Sequence, residues 1–251
     1  MRSILCLLLW LTPVAAADEV NRLAAFGDGR YLEAAALAQF SAHPDDLSFA
    51  ARCLLADAIS AQDHALPQTT VIEAEGLARR AVAMAPDHVE GRLQLAIALS
   101  LRLRPLSARE AMQKGYGTVA KDLAETVLQD DPDNIYAHGF MSIWHIEVVR
   151  RGGRMGAAFM GASIKKARHH YEAAIAAEPD EASTHWQYAK ALTALNAKKY
   201  RDEIDQALAA ALAAQTDSAL EHVMQTRAET LYAALQTLPR KQVEKLAAEM
   251  L

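Results

Sequence analysis

A Pro-Asp pair recurs four times along the chain and constrains the fold more than any other feature. Proline has no N–H to donate and disfavours helical φ/ψ in the residue before it, so a helix must end at each pair. The spacings are 42, 46 and 47 residues, and a recurrence at such a period predicts an array of helical units. The four pairs are Pro44-Asp45, Pro86-Asp87, Pro132-Asp133 and Pro179-Asp180.

Small and apolar residues follow helical spacing on both sides of each pair. Four residues before the proline the chain always has an apolar residue, as Val82 and Ile175 show. A helix with one apolar stripe cannot bury it alone, so successive helices must pack in pairs. No stretch shows the alternation of a strand. We therefore predict an all-α array of six antiparallel helix pairs.

These residues resemble the tetratricopeptide repeat (TPR) family, whose repeats carry spaced small or aromatic residues in the second helix and end it in proline. The matching residues are Ala74, Ala78, Ala81, Pro86, Leu95 and Ala96 in one unit, and Ala167, Tyr171, Ala174, Pro179, Tyr188 and Ala189 in another. The resemblance covers roughly Val20 to Gln236 and implies a right-handed superhelix, a TPR-like solenoid. The family's period is about 34 residues. The longer period here predicts enlarged turns near residues 104–117 and 150–161.

The middle of the chain is also similar to the solenoid domain of regulator-of-microtubule-dynamics proteins. The similarity lies in Lys114-Gly115-Tyr116 before a helix that ends at Asp131-Pro132, and in a long insertion before the next pair. A cytoskeletal role cannot follow in an exported bacterial chain, so this similarity bears on the fold alone.

The start of the chain has the pattern of a secretory signal over residues 1–17. Arg2 is followed by the apolar run Ile4–Leu11, and an A-x-A site, residues 15–17, precedes Asp18. That run is far shorter than the roughly 20 residues of a membrane span. We expect cleavage after Ala17, a bacterial periplasmic location and a repeat domain over residues 18–251; the alternative is an uncleaved anchor.

Charge and cysteine content exclude several classes of partner and chemistry. The net charge of −5 provides no positive field for nucleic acid, so we predict no nucleic-acid partner. No other stretch is long enough to cross a bilayer, so we predict no transmembrane span. After cleavage one thiol, Cys53, remains, and its place on an apolar helix face is typical of a small hydrophobic residue.

The polar residues form no recognisable catalytic, metal or cofactor motif. His138 and His145 lie seven residues apart on one helix, and His185 is the repeat equivalent of His138, so zinc or copper is conceivable in chemical terms. No H-x-x-x-H pair, carboxylate cluster or cysteine pair accompanies them. We predict no enzyme activity, no metal and no cofactor.

The family resemblance assigns the concave face to the helix that follows each proline. Aromatic side chains supply much of the energy at interfaces. For Trp186 the alternative is that it fills the core of a tight superhelix. The candidate binding residues on that face are Tyr136, Trp186, Lys190, Ile143, Leu93 and Ile97.

A basic insertion between residues 150 and 171 is the second candidate site, with six positive charges and no acid. It would contact an anionic ligand, an acidic partner or a lipid surface. The alternative is a solvated turn whose Phe159 and Met160 pack under the array. Its candidate residues are Arg150, Arg151, Arg154, Lys165 and Lys166.

Together these features favour a non-catalytic scaffold of the cell envelope that binds a protein or peptide. The alternative is a periplasmic carrier of a hydrophobic or organic-acid ligand, associated with a transporter. A carrier would show a ligand-induced rise in melting temperature, whereas a scaffold would capture a protein at its concave face.

Overall fold

The computed structural model describes residues 13–61 and 65–250, and these residues form helices and no strand. The helices are α1 (Pro13–Gly27), α2 (Tyr31–Ala36), α3 (Pro44–Ser60), α4 (Gln68–Met84), α5 (Val89–Arg102), α6 (Ala108–Lys114), α7 (Tyr116–Asp130), α8 (Ile135–Met160), α9 (Ile164–Ala177), α10 (Ala182–Asn196), α11 (Arg201–Ala213), α12 (Ala219–Thr237) and α13 (Arg240–Glu249).

Consecutive helices pack in pairs, six of them in the described part of the chain. The pairs are α1/α2, α3/α4, α5/α7, α8/α9, α10/α11 and α12/α13, and each also packs on its neighbour. Alanines at helical spacing allow this close approach: Ala74, Ala78 and Ala81 of α4 are fully buried. The predicted all-α array of helix pairs is confirmed.

The four repeated prolines all lie at helix junctions. Pro44 is the first residue of α3, where its missing N–H has no helical partner in any case. Pro86, Pro132 and Pro179 lie in the turns before α5, α8 and α10. The proline positions thus mark the corners of the array, as predicted.

The N-cap of the helix after each turn lies two residues beyond the proline. His88 accepts a hydrogen bond from the N–H of Gly91, and Asn134 accepts one from Ala137. In α10 the cap is Glu181 rather than Asp180, because the Pro-Asp pair occupies the turn itself.

One of the two predicted enlarged turns is present in the structure, whereas the other segment is largely helical. Residues 104–117 form a turn that contains the short helix α6, which starts with a capping box between Ser107 and Glu110. Residues 150–161 are not a turn, because α8 continues through them to Met160. It is interrupted only at Gly153, which has φ 58° and ψ −160°. This segment contains no proline, and contacts of its arginines hold it in helical conformation.

The last helices return to the first ones, so the array closes on itself. The guanidinium of Arg227 on α12 donates to the carbonyl of Ala61 after α3, at 3.0 Å. Gly29, between α1 and α2, has φ 79°, and a Cβ built there would lie 2.9 Å from the Cβ of Ala219. Only glycine fits this conformation and this close approach.

The predicted secretory signal lies mostly outside the described residues. Its apolar run, Ile4–Leu11, is among the residues that the structure does not describe, and α1 begins at Pro13 and continues past Ala17. Among the helices of the described residues, none has the length and apolar character that crossing a bilayer requires.

Candidate functional site: the concave cavity

A concave cavity of about 1280 Å3 opens on the inner side of the array. Its walls come mainly from α5, α8 and α10, which are helices that follow a proline. The short helix α6, the start of α7, Tyr171 of α9 and the C-terminal end of α13 also contribute to the lining. In each of these three units the helix after the proline faces inward, as the family resemblance implied.

Four of the six predicted concave-face residues line the cavity: Ile97, Tyr136, Ile143 and Lys190. Tyr136 is the most exposed of them, at 59%. Its aromatic ring is therefore available to a partner.

Leu93 and Trp186 are core residues instead. Leu93 packs against Val127 and Ala137 where α5, α7 and α8 meet. Trp186 is completely buried in the core of the second half of the array. The prediction that they form the inner surface is wrong, because helices such as α10 have neighbours on several sides and expose only a narrow strip.

The predicted basic insertion is divided between the cavity and the outside. Arg150 and Arg151 line the cavity, whereas Arg154, Lys165 and Lys166 do not. Arg150 is paired with Glu147 one turn earlier, with Nη2–Oε2 at 2.6 Å. Arg151 donates to the carbonyl oxygens of Leu103, at 3.1 Å, and Leu106. These contacts fix α8 just before its break at Gly153, and the insertion is not one continuous basic patch.

Two large apolar side chains at the end of α8 line the cavity and face solvent. Met155 is 86% exposed and Phe159 80%. The alternative in which Phe159 packs under the array is therefore wrong, although Met160 does pack against the core that α7 and α8 share. Such exposed apolar side chains are typical of contact surfaces.

Arg104 is a cavity residue that the sequence did not reveal. Its Nη2 donates to the carbonyl of Met250 at 2.8 Å and to that of Ala248 at 3.3 Å. The guanidinium therefore binds the negative end of the α13 dipole. The contact spans 146 residues, so no local pattern could have indicated it.

The cavity is locally cationic although the whole chain has a net charge of −5. Burial lowers the pKa of Lys190 well below its usual value, the guanidinium of Arg104 lowers it further, and Glu147 opposes the shift. Burial likewise lowers the pKa of Arg104 and Arg151. Among the described residues, the lining has one carboxylate side chain, that of Glu147, and the basic side chains Arg104, Arg109, Arg150, Arg151 and Lys190.

Two histidines at equivalent repeat positions hydrogen-bond to the prolines at two corners of the array. His138 Nε2 donates to the carbonyl of Pro132 at 2.9 Å, and His185 Nε2 donates to that of Pro179 at 2.8 Å. Because a carbonyl only accepts, a neutral His138 accepts with Nδ1, and its partner there is Nδ1 of His170 at 2.9 Å. The two equivalent histidines thus stabilise the turns at Pro132 and Pro179. The described residues hold no group of three side chains able to bind a metal.

Cys53 is fully buried in the core of the first half. Burial raises the pKa of its thiol to about 12, which disfavours the reactive thiolate. This agrees with its interpretation as a small hydrophobic residue.

Comparison with solved structures shows the fold. TTC0263, described as a thermophilic TPR protein of Thermus thermophilus, superposes with a TM-score of 0.62 at 20% identity, covering 89% of this chain and 99% of that one. A monomeric mutant of IFIT1, determined with Gppp-AAAA, gives a TM-score of 0.50 at 17% identity. This superposition covers 93% of this chain and 58% of the IFIT1 chain. No family model and no curated protein matches the sequence. The protein is therefore a TPR-like helical repeat protein in its fold.

Proposed function

We propose that this protein is a non-catalytic scaffold that binds a segment of a partner protein in its concave cavity. The observation that carries the proposal is the cavity itself, about 1280 Å3 in volume, with Tyr136, Met155 and Phe159 exposed along its lining. Small-molecule sites usually have about 300–1,000 Å3. Arrays of helical repeats characteristically use such extended concave surfaces for binding.

Photo-cross-linking from inside and outside the cavity tests this proposal. Benzoylphenylalanine replaces Phe159 in one variant and Tyr232 in the control, since Tyr232 is 43% exposed on α12 and does not line the cavity. We expect a discrete protein adduct from position 159 in cells of the producing organism, and none of the same mass from position 232. Equal adducts from both positions, or none from position 159, would contradict the proposal.

The cell envelope is the proposed location, and it rests on the apolar run Ile4–Leu11 and the small residues before Asp18. Mass spectrometry of the exported protein tests it. A mature N-terminus at Asp18 is expected, and an intact Met1 in the purified protein would contradict export by cleavage.

A second candidate function is a carrier for a hydrophobic or organic-acid ligand that works with a transporter. One observation favours it: an ammonium group, that of Lys190, is buried at the cavity wall. A carrier would melt at a higher temperature with its ligand bound.

A further inference from the structure

Lys190 has a buried side-chain amine that, among the described residues, has no polar partner. Its side chain is 7% exposed and lines the concave cavity. Its Nζ lies 5.7 Å from the ring centroid of Trp186, a cation–π distance. Within the described residues it makes no hydrogen bond or ion pair.

The other charged side chains of the described residues that are equally buried all have partners. A buried charge without a partner is strongly unfavourable, because the protein does not replace the water that it loses. Lys190 is the exception among the buried charged side chains of the described residues. The partnered groups are Glu75 with Arg102 at 2.6 Å, Arg92 with Asp130 at 2.6 Å, and Arg227 with the carbonyl of Ala61 at 3.0 Å.

The charged groups that act on Lys190 leave an excess of positive charge around it. They are Arg104 after α5, Glu147 and Arg150 on α8, and Arg227 on α12. Each of these guanidinium groups already donates to a protein oxygen. Lys190 differs from these guanidinium groups because its nitrogen donates to no protein oxygen among the described residues, and a single ammonium group suits one carboxylate better than a phosphate that needs several donors.

The remaining lining suits an apolar ligand body. Ile97, Leu101 and Ile143 line the cavity from α5 and α8, and Ala191 lies next to Lys190 on α10. Hydrocarbon that enters the cavity leaves water, which is favourable at roughly 25 cal/mol per Å2 of apolar surface.

We propose that Lys190 anchors a carboxylate-binding site in the concave cavity, and that its ligand is an aliphatic carboxylate whose hydrocarbon chain lies between α5, α8 and α10. The proposal shares with the proposed function only the premise that the cavity is a binding site. A carboxylate supplies the missing acceptor, and the chain covers the apolar wall.

Binding at this site takes up a proton. Burial and the neighbouring guanidinium groups lower the pKa of the Lys190 ammonium, which favours the neutral amine in the empty cavity. A bound carboxylate raises that pKa again. Affinity should therefore fall as pH rises, and each ligand should take up as much as one proton.

Titration calorimetry with decanoate and decanol tests the proposal, because the two probes share a hydrocarbon chain and differ in charge. We expect decanoate to bind the wild-type protein at least about tenfold more tightly than decanol. Lys190→Met should reduce this preference to less than about threefold. Lys165→Met is the matched control, since Lys165 is exposed and does not line the cavity; it should retain the full preference.

Equal binding of both probes to the wild type, or an unchanged decanoate preference in Lys190→Met, would overturn the proposal. Circular dichroism establishes that Lys190→Met folds; if it does not, the wild-type comparison decides alone. Proton uptake, measured in buffers of different ionisation enthalpy, should accompany decanoate binding and be absent with decanol. Cross-linking from position 159 is a separate readout, so the carboxylate site and the protein scaffold can fail independently.

Discussion

Two histidines between α8 and α9, the buried His145 and the partly buried His170, tie the stability of the fold to pH. The ring of His145 stacks on that of His170, with centroids 5.6 Å apart. Burial lowers the pKa of both to about 4, and each is further lowered by a neighbouring histidine. The folded state therefore holds both rings neutral at pH values where an unfolded chain, with its ordinary pKa of about 6.5, binds protons.

We predict that the free energy of unfolding falls as the pH decreases from about 6.5 to about 4, and is insensitive to these two groups above pH 7. The sign follows from linkage: in this window the unfolded state binds more protons, so acid favours unfolding. Urea denaturation at a series of pH values measures the effect.

His145→Phe should reduce this pH dependence, because it removes one of the two titrating rings and a buried Nδ1 that lacks a hydrogen-bond partner in the described residues. His222→Phe is the control, since His222 is exposed. An identical slope in wild type and His145→Phe would show that the buried rings do not cause the acid sensitivity.

At the scale of the elements, α8 shows how tertiary contacts override a local signal. The glycines after Arg151 predict a turn, yet helix resumes after Gly153 and carries Met155 and Phe159 to the cavity. The bend is confined to Gly153, whose φ of 58° and ψ of −160° are accessible essentially to glycine alone.

Substitution of two glycines of α8 should change stability in opposite directions. Gly153→Ala should cost about 1–3 kcal/mol, because alanine is strained in that conformation. Gly156→Ala should stabilise the helix by about 0.5–1 kcal/mol, since an added Cβ there meets no atom within 4 Å. Thermal denaturation compares the two; equal melting temperatures would mean that the break at Gly153 does not exist in solution.

The sequence predicts the helix pairs more fully than it predicts the candidate site. Proline corners and alanine stripes are local, so the helix pairs could be predicted. The exposure of Trp186 could not, since it depends on how tightly α10 is surrounded. Nor could the contact of Arg104 with Met250, because it joins residues 146 positions apart. Lys190 was predicted on the inner face, but the absence of a partner is visible only in three dimensions.

At the scale of the whole molecule, the closure of the array produces the site. The contact of Arg227 on α12 with Ala61 brings the two ends together, and Arg104 holds the end of α13 against the cavity. The inner surface is thereby both enclosed and cationic, on a chain whose net charge is negative.

The central claim, that an aliphatic carboxylate binds on this inner surface, is tested most directly by a crystal structure with 10-bromodecanoate. We predict an anomalous bromine peak inside the cavity between α5, α8 and α10, with the carboxylate within about 3.2 Å of Lys190 Nζ. Bromine peaks only on α4 and α11, which contribute no residue to the cavity lining, with an empty cavity, would contradict it.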